Sequence, residues 1–323
     1  MTSTLEVERK YPPAVDDKTR SLLLGRPHKH NGAMWLTASV VLVAVLLVAY
    51  SLVTNQRYEW DVAFAWFTSE RLFTGLLRTL GLTAISMLVG ILVGVFLALA
   101  RLAPNAIVAG VAAFLVWFFR GVPVFVQLLF WGFIAAIYPR IALGVPFGPE
   151  FFSVDANVLI TPFVAAVLGL GLNEGAYMSE IVRAGLLSVN RGQTEAATAL
   201  GMKRHAILSR IVLPQAMKVI VPPTGNQTIS MLKTTSLVSV LAFPELLYSA
   251  QLVYSANFKT IPLLIAASMW YLLVTSVLSL GQYFIERHYN RGTATTGRAK
   301  TRGARRRLKT VPAATTTREE GQP

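Results

Sequence analysis

The stretch "EAATALGMKRHAILSRIVLP", residues 195–214, decides how the whole chain is read. It opens with a strong helix-forming run, closes that run at Gly201, adds the basic cluster Lys203, Arg204 and His205, and ends at Pro214. Glycine is the residue that most easily takes the left-handed conformation that caps a helix C-terminus. Ala196, Ala197 and Ala199 give the short helix a small-residue face that another surface can approach closely, and Glu195 offers a carboxylate near its start. Composition alone also allows a plain amphipathic loop helix that covers the end of a bundle. Long apolar segments lie on both sides, so a charged, water-compatible hairpin sits in the middle of a chain built for lipid.

The rest of the composition agrees. Of 323 residues, 54% are hydrophobic and 14% charged, against about a quarter charged in soluble domains. The net charge of +14 would suggest nucleic acid in a soluble protein, but here the basic residues gather in the tails and in one loop, where they set membrane orientation. Nucleic acid is not expected as a partner; membrane lipid is. With no cysteine and four scattered histidines, thiol chemistry and a metal centre are not expected, and no cofactor is.

Apolar runs place spans at 34–53, 80–100 with a flank from Arg71, 156–173, 219–243 and 260–285. Residues 102–139 are interrupted by Arg120. Six basic residues precede Met34, six lie in 179–218 and ten follow Ile285, whereas 54–70, 140–155 and 244–259 hold only Arg57, Arg140 and Lys259. The three basic regions share the cytoplasmic side only if 102–139 crosses once. Residues 102–119 are therefore expected partly at the cytoplasmic interface, with the crossing after "RGVP", where Gly121 and Pro123 interrupt helix and form a candidate hinge. The expectation is an all-helical integral membrane protein with six spans and both termini cytoplasmic. Residues 1–33 form a cytoplasmic tail, and 34–70 an extra helix with an outer, aromatic and acidic linker. Residues 290–323 are expected to be a disordered basic tail, whose arginines 305–307 either meet anionic headgroups or are simply solvated.

Four separated stretches carry a family resemblance. They are "RGVPVFVQLLF" (120–130), "GAYMSEIVRAGLLSVNRGQTEAATALGM" (175–202), "LPQAMKVIVPPTGNQ" (213–227) and "LKTTSLVSVLAFPELL" (232–247). With "EAA", three residues, Gly201, nine residues and Ile211-Val-Leu213-Pro214, the chain resembles the permease subunits of ATP-binding-cassette (ABC) importers, in the polar amino-acid branch. The resemblance covers 71–289 and implies a type I importer transmembrane domain with a five-helix core, to which 34–70 is an addition. It implies a coupling loop at 190–214 whose Glu195, Ala196, Ala197 and Gly201 dock into a separate ATPase subunit. The chain itself would not be an enzyme. Further implied partners are an extracytoplasmic binding protein, a second permease as homodimer or heterodimer, and a polar amino acid, in the bacterial cytoplasmic membrane. The alternative is a secondary amino-acid transporter working without an ATPase. Intramembrane carboxylate pairs and an inverted repeat would favour it, and neither is evident.

Inside the spans, Lys233 stands beside Thr234, Thr235 and Ser236. A lysine at depth costs about 3 kcal/mol and must face protein or water. Lys233, Thr234, Ser236 and Asn226 are therefore candidates for a translocation cavity, the lysine holding a substrate carboxylate. The bland counterpart is a lysine that snorkels to the interface. Pro222 and Pro223, with Gly225 and Asn226, either form a gate hinge or end a surface helix. Glu180 and Arg183, three apart, are placed to pair on one helix face.

Overall fold

The computed structural model describes residues 32–144 and 150–290, which divide between Tyr58 and Glu59 into two units. The expectations for 1–31 and 291–323 lie outside the described residues. Among its described residues the first unit holds one α-helix, α1 (Gly32–Thr54), apolar around its whole circumference, with exposed side chains from Met34 onward, and a 3-10 turn at Gln56–Tyr58.

The second unit opens with α2 (Trp60–Phe67), which packs on the last helix, α12 (Thr260–Asn290). Phe67 stacks on Trp270 at 4.5 Å, and the Trp270 indole donates to the Phe67 carbonyl. Lys259 Nζ reaches Glu59 at 2.6 Å. The aromatic linker thus folds in its second half as a short apolar helix held by a ring stack and an ion pair.

Next comes α3 (Glu70–Arg101), capped by Ser69, which matches the expected second span and its flank. Its fullest packing is against α7 (Pro162–Leu187). Glycines make that seam possible. A methyl on Gly90 would lie 2.7 Å from Glu174 Cγ, and one on Gly175 would lie 2.6 Å from Val93 Cγ1. Gly94 and Gly171 face Met178 and Val89 in the same way, so two helices with small residues at four-residue spacing interlock along their length.

Between these partners lie α4 (Ala106–Gly121) and α5 (Val124–Gly132), whose axes differ by 99°. The bend falls at "RGVP", as its glycine and proline require. The carbonyls released there are not left bare. Phe119 O accepts from both Gln127 Nε2 and Asn173 Nδ2, and Val122 O accepts from Gln127 Nε2, at 2.8–2.9 Å. A two-stranded antiparallel hairpin follows, β1 (Arg140–Gly144) with β2 (Glu150–Asp155), the one exception to the all-helical expectation among the described residues. Asp155 then caps the single turn α6 (Ala156–Leu159).

Two expected spans have different limits. The run 156–173 is not one helix, because Thr161 caps a new start at Pro162 and α7 continues to Leu187. Counting apolar residues stops at Asn173 and Glu174, yet Asn173 donates to Phe119 O, Glu174 accepts from Gln227, and both remain inside the helix. The run 219–243 begins earlier, as α10 (Leu213–Thr234), and tightens to a 3-10 turn at Thr235–Leu241. Pro222 and Pro223 do not interrupt it. The helix passes through both, with the Gln282 amide of α12 donating to Pro222 O and the Thr224 hydroxyl to Ile220 O. Gly225 leaves the room in which the Gln282 side chain sits.

After α10 the chain breaks again. Glu245, fully buried, caps α11 (Leu246–Asn257) by accepting from Leu247 N and Tyr248 N, and takes the Tyr271 hydroxyl as well. Thr79 Oγ1 accepts from Leu246 N. Leu246 packs with Leu76 while the other end of α11 runs to the start of α12, so this helix begins part-way along α3. All its first amides find acceptors in protein, as a helix start away from water requires.

Candidate functional site

Two constructions stand out, one outside the bundle and one within it. Outside, α8 (Arg191–Ala199) is capped by Asn190 and ends at Gly201, whose φ of +74° belongs to the left-handed region. Gly201 N donates to Thr198 O and Met202 N to Ala197 O, the paired bonds of a Schellman cap. The chain turns sharply there and re-enters through α9 (Arg204–Ile207), a π turn (Leu208–Val212) and α10. Glu195, Ala196 and Ala199 are exposed, and Leu200 is 82% exposed, a bare leucine at the tip. Ala197 departs from its expected role. It is 3% exposed because the short helix packs on the returning segment, α9 and the π turn at Leu208–Val212, so Ala197 holds the hairpin together from inside.

Inside, α7 and α10 enclose a cavity of about 330 Å³, within the range of about 300–1,000 Å³ typical of small-molecule sites. Its polar lining comes from Asn173, Glu174 and Tyr177 on α7 and from Gln227, Ser230 and Thr234 on α10. Tyr177 lies four residues after Asn173 and three after Glu174, and Gln227, Ser230 and Thr234 follow one another at three and four, so each set forms one helical stripe. Glu174 is the charged residue of the lining, only 5% exposed, and accepts from Gln227 Nε2 at 3.2 and 3.4 Å through its two oxygens. Desolvating a carboxylate is costly unless it is partnered, and one neutral amide leaves most of its hydrogen-bonding capacity for a cationic guest.

Of the four residues expected in the cavity, Thr234 lines it and Lys233, Ser236 and Asn226 do not. Lys233 is exposed, Ser236 returns its hydroxyl to Lys233 O, and Asn226 turns to Glu286 of α12 at 3.5 Å. Asn173, Tyr177, Gln227 and Ser230 were not singled out from the sequence, although their polar stripe within an apolar run was the available signal. Next to the cavity, Glu180 pairs with Arg183 at 2.8 Å as its spacing suggested, and also with Arg101 at 2.6 Å and Arg120 at 3.5 Å. Arg120 lies over the Tyr177 ring at 5.2 Å. Among the described residues no group of three or more His, Asp or Glu is placed to hold a metal ion.

The profile of the binding-protein-dependent transport system inner membrane component family matches residues 90–291. The chain belongs to this family. The permease is 42% identical to the arginine transport system permease protein ArgU of Corynebacterium glutamicum, over 84% of each chain. It is 36% identical to the L-cystine transport system permease protein TcyB of Bacillus subtilis, covering 76% of this chain and 97% of that one. Among solved structures, an amino acid ABC transporter with histidines superposes with a TM-score of 0.57 at 31% identity, covering 68% of this permease and 94% of that chain. The methionine transporter MetNI, at 18% identity and TM-score 0.51, shares the fold. The permease thus has the type I importer fold and is a multi-pass protein of the bacterial cytoplasmic membrane. It is the membrane subunit of an ATP-driven importer, a non-enzymatic role, and the secondary-transporter alternative gives way. The EAA segment and its helix are typical of the family.

Proposed function

We propose that two such permeases, identical or paired with a second kind, carry a basic amino acid inward past Glu174 while a separate ATPase subunit drives α8. The observation that carries this reading is the polar cavity itself, whose one charged liner is a carboxylate suited to an ammonium or guanidinium group. The arginine system of the ArgU relative supports it. Substrate arrives on an extracytoplasmic binding protein, as the family's description implies.

Six spans with both termini cytoplasmic satisfy the charge distribution, the bent α4–α5 pair counting as one crossing, since nine residues of α5 alone reach about 14 Å. Lys233 supports pairing. It follows Met231, which packs with Leu82 and Met87 near the middle of α3, yet its side chain is exposed on the single chain. A charge at that depth needs protein or water opposite it, which a second permease and a shared aqueous path supply. Glu195, Ala196 and Gly201, with Leu200 as an apolar tip, present the docking face to the ATPase. Rigid-body motion of the ATPase would pass through α8 into α7 and α10, with Gly121, Pro123 and the Pro222–Pro223 segment as the places that flex.

The test uses the cysteine-free chain. A cysteine at position 199 is expected to crosslink to the co-expressed ATPase in an ATP-dependent way, and the complex to take up arginine or lysine in preference to glutamine and glutamate. Equal uptake of all four would refute the basic class. Labelling of position 199 only from outside would overturn the orientation.

A further inference from the structure

Arg101, Arg120 and Arg183 come from three helices, α3, α4 and α7, to one carboxylate. Glu180 is the acidic group within ion-pair distance of any of them among the described residues, so the cluster carries two surplus positive charges. The guanidinium side chains are 19%, 44% and 33% exposed, and Arg120 is both the most exposed and the longest paired. Each guanidinium has five N–H donors in a planar fork, and Glu180 cannot occupy them all. The chemistry that completes such a site is an anion with several oxygens, a phosphodiester above all.

A second observation specifies what the phosphodiester belongs to. Directly beyond Arg120, the 99° crook between α4 and α5 holds a groove of about 350 Å³ lined by Phe118, Phe119, Val122, Val126, Phe130 and Trp131. Its walls are apolar except for Gln127, which is committed to the Phe119 and Val122 carbonyls. A cationic seat beside a dry aromatic groove fits an amphiphile with an anionic head. The level also fits. Glu180 lies seven residues before the end of α7, about 10 Å along the axis, and α8 follows that end directly. With α8 cytoplasmic, the arginines stand at the headgroups of the inner leaflet, where anionic lipids are concentrated.

We propose that the Arg101–Arg120–Arg183 cluster and the α4–α5 crook bind one anionic phospholipid of the cytoplasmic leaflet, phosphate on the guanidiniums and acyl chain in the crook. The proposal rests on the cytoplasmic placement of α8 given above. Because Arg120 also covers the Tyr177 ring, the lipid head would sit one side chain away from the substrate cavity.

The experiment is lipid titration of the purified full-length permease–ATPase complex by native mass spectrometry. The probes are phosphatidylglycerol, phosphatidylcholine with identical chains, and chain-free glycerophosphoglycerol. Wild type is expected to bind phosphatidylglycerol at least about tenfold more tightly than phosphatidylcholine, and Arg120→Gln to lose about fivefold of that with phosphatidylcholine unchanged. Arg120→Lys, which keeps the charge without the planar fork, is expected to fall between. No head-group preference in wild type overturns the proposal without any variant having to fold, as does identical preference in all three forms. Displacement by glycerophosphoglycerol at equal concentration would show that the cluster takes a free phosphodiester, and the lipid assignment would fail. A Leu200→Cys label separates the two levels of inference. Reaction from outside removes the importer orientation and this site together, whereas reaction from inside without head-group preference removes only the lipid.

Discussion

α1 and α7 are both long enough to cross a membrane, and they are opposites. Every described side chain of α1 is exposed, and its sequence from Gly32 to Thr54 contains no charge. α7 buries twelve residues, four of them glycines, and carries Asn173, Glu174, Glu180 and Arg183 within one helix. Among the described residues four helical segments are long and apolar enough to be spans on their own, α1 among them, and α7 is not. The difference shows what hydropathy measures in such a protein. It finds the helices that meet lipid. The helix that carries Glu174 and packs most fully inside the protein is polar where α1 is greasy, and is held by close packing in place of lipid solvation.

The largest test of that contrast is steric. Gly94→Leu drives a side chain into Met178 and is expected to cost roughly 3 kcal/mol or more, enough to abolish recovery of assembled permease. Ala44→Leu in α1 should change stability by less than about 0.5 kcal/mol. Thermal midpoints from fluorescence-detected size exclusion measure both, and equal midpoints would dissolve the distinction. Next, Glu174→Gln is expected to lower uptake of a basic amino acid at least about tenfold with assembly intact, about 1.4 kcal/mol or more in transition-state terms. A drop in assembly in place of transport would make Glu174 a packing residue. Proline cannot adopt φ +74°, so Gly201→Pro is expected to insert normally and lose most transport-coupled ATP hydrolysis, as is Glu195→Lys through its reversed charge. Retained coupling in either variant counts against docking through α8. The smallest expected effect is Lys233→Met, a reduction of about two- to fivefold in uptake without loss of assembly, roughly 0.4–1 kcal/mol. Unchanged uptake would return Lys233 to the role of an interfacial charge.

The coupling helix was legible because its signals are local. A run of helix formers, a glycine able to take a left-handed cap and a basic turn need no distant partner to be understood. The break at "RGVP" was legible for the same reason. What could not be read depended on contacts far along the chain. Asn173 looks like the end of a span until Phe119, 54 residues earlier, supplies its acceptor. Pro222 and Pro223 read as breaks, yet the helix runs through both, packed against α12, whose Gln282, 60 residues later, also donates to the Pro222 carbonyl. Lys233 was expected to line the cavity, and the exposed face of α10 carries it instead, away from the lining.

The glycine seam between α3 and α7 also has a consequence for synthesis. Gly90 and Glu174 touch across about eighty intervening residues, which a ribosome adds in roughly 4–16 s. During that interval α3 is in the bilayer with its notched face unfilled. α7, when it emerges, carries Glu174, a carboxylate whose charge the bilayer penalises by about 3 kcal/mol at the centre of a span. Its passage out of the translocon is therefore cheapest directly onto a waiting α3. Membrane insertion of the later helix becomes an act of assembly with the earlier one, and a defect in the notch would surface first as a chain that fails to thread.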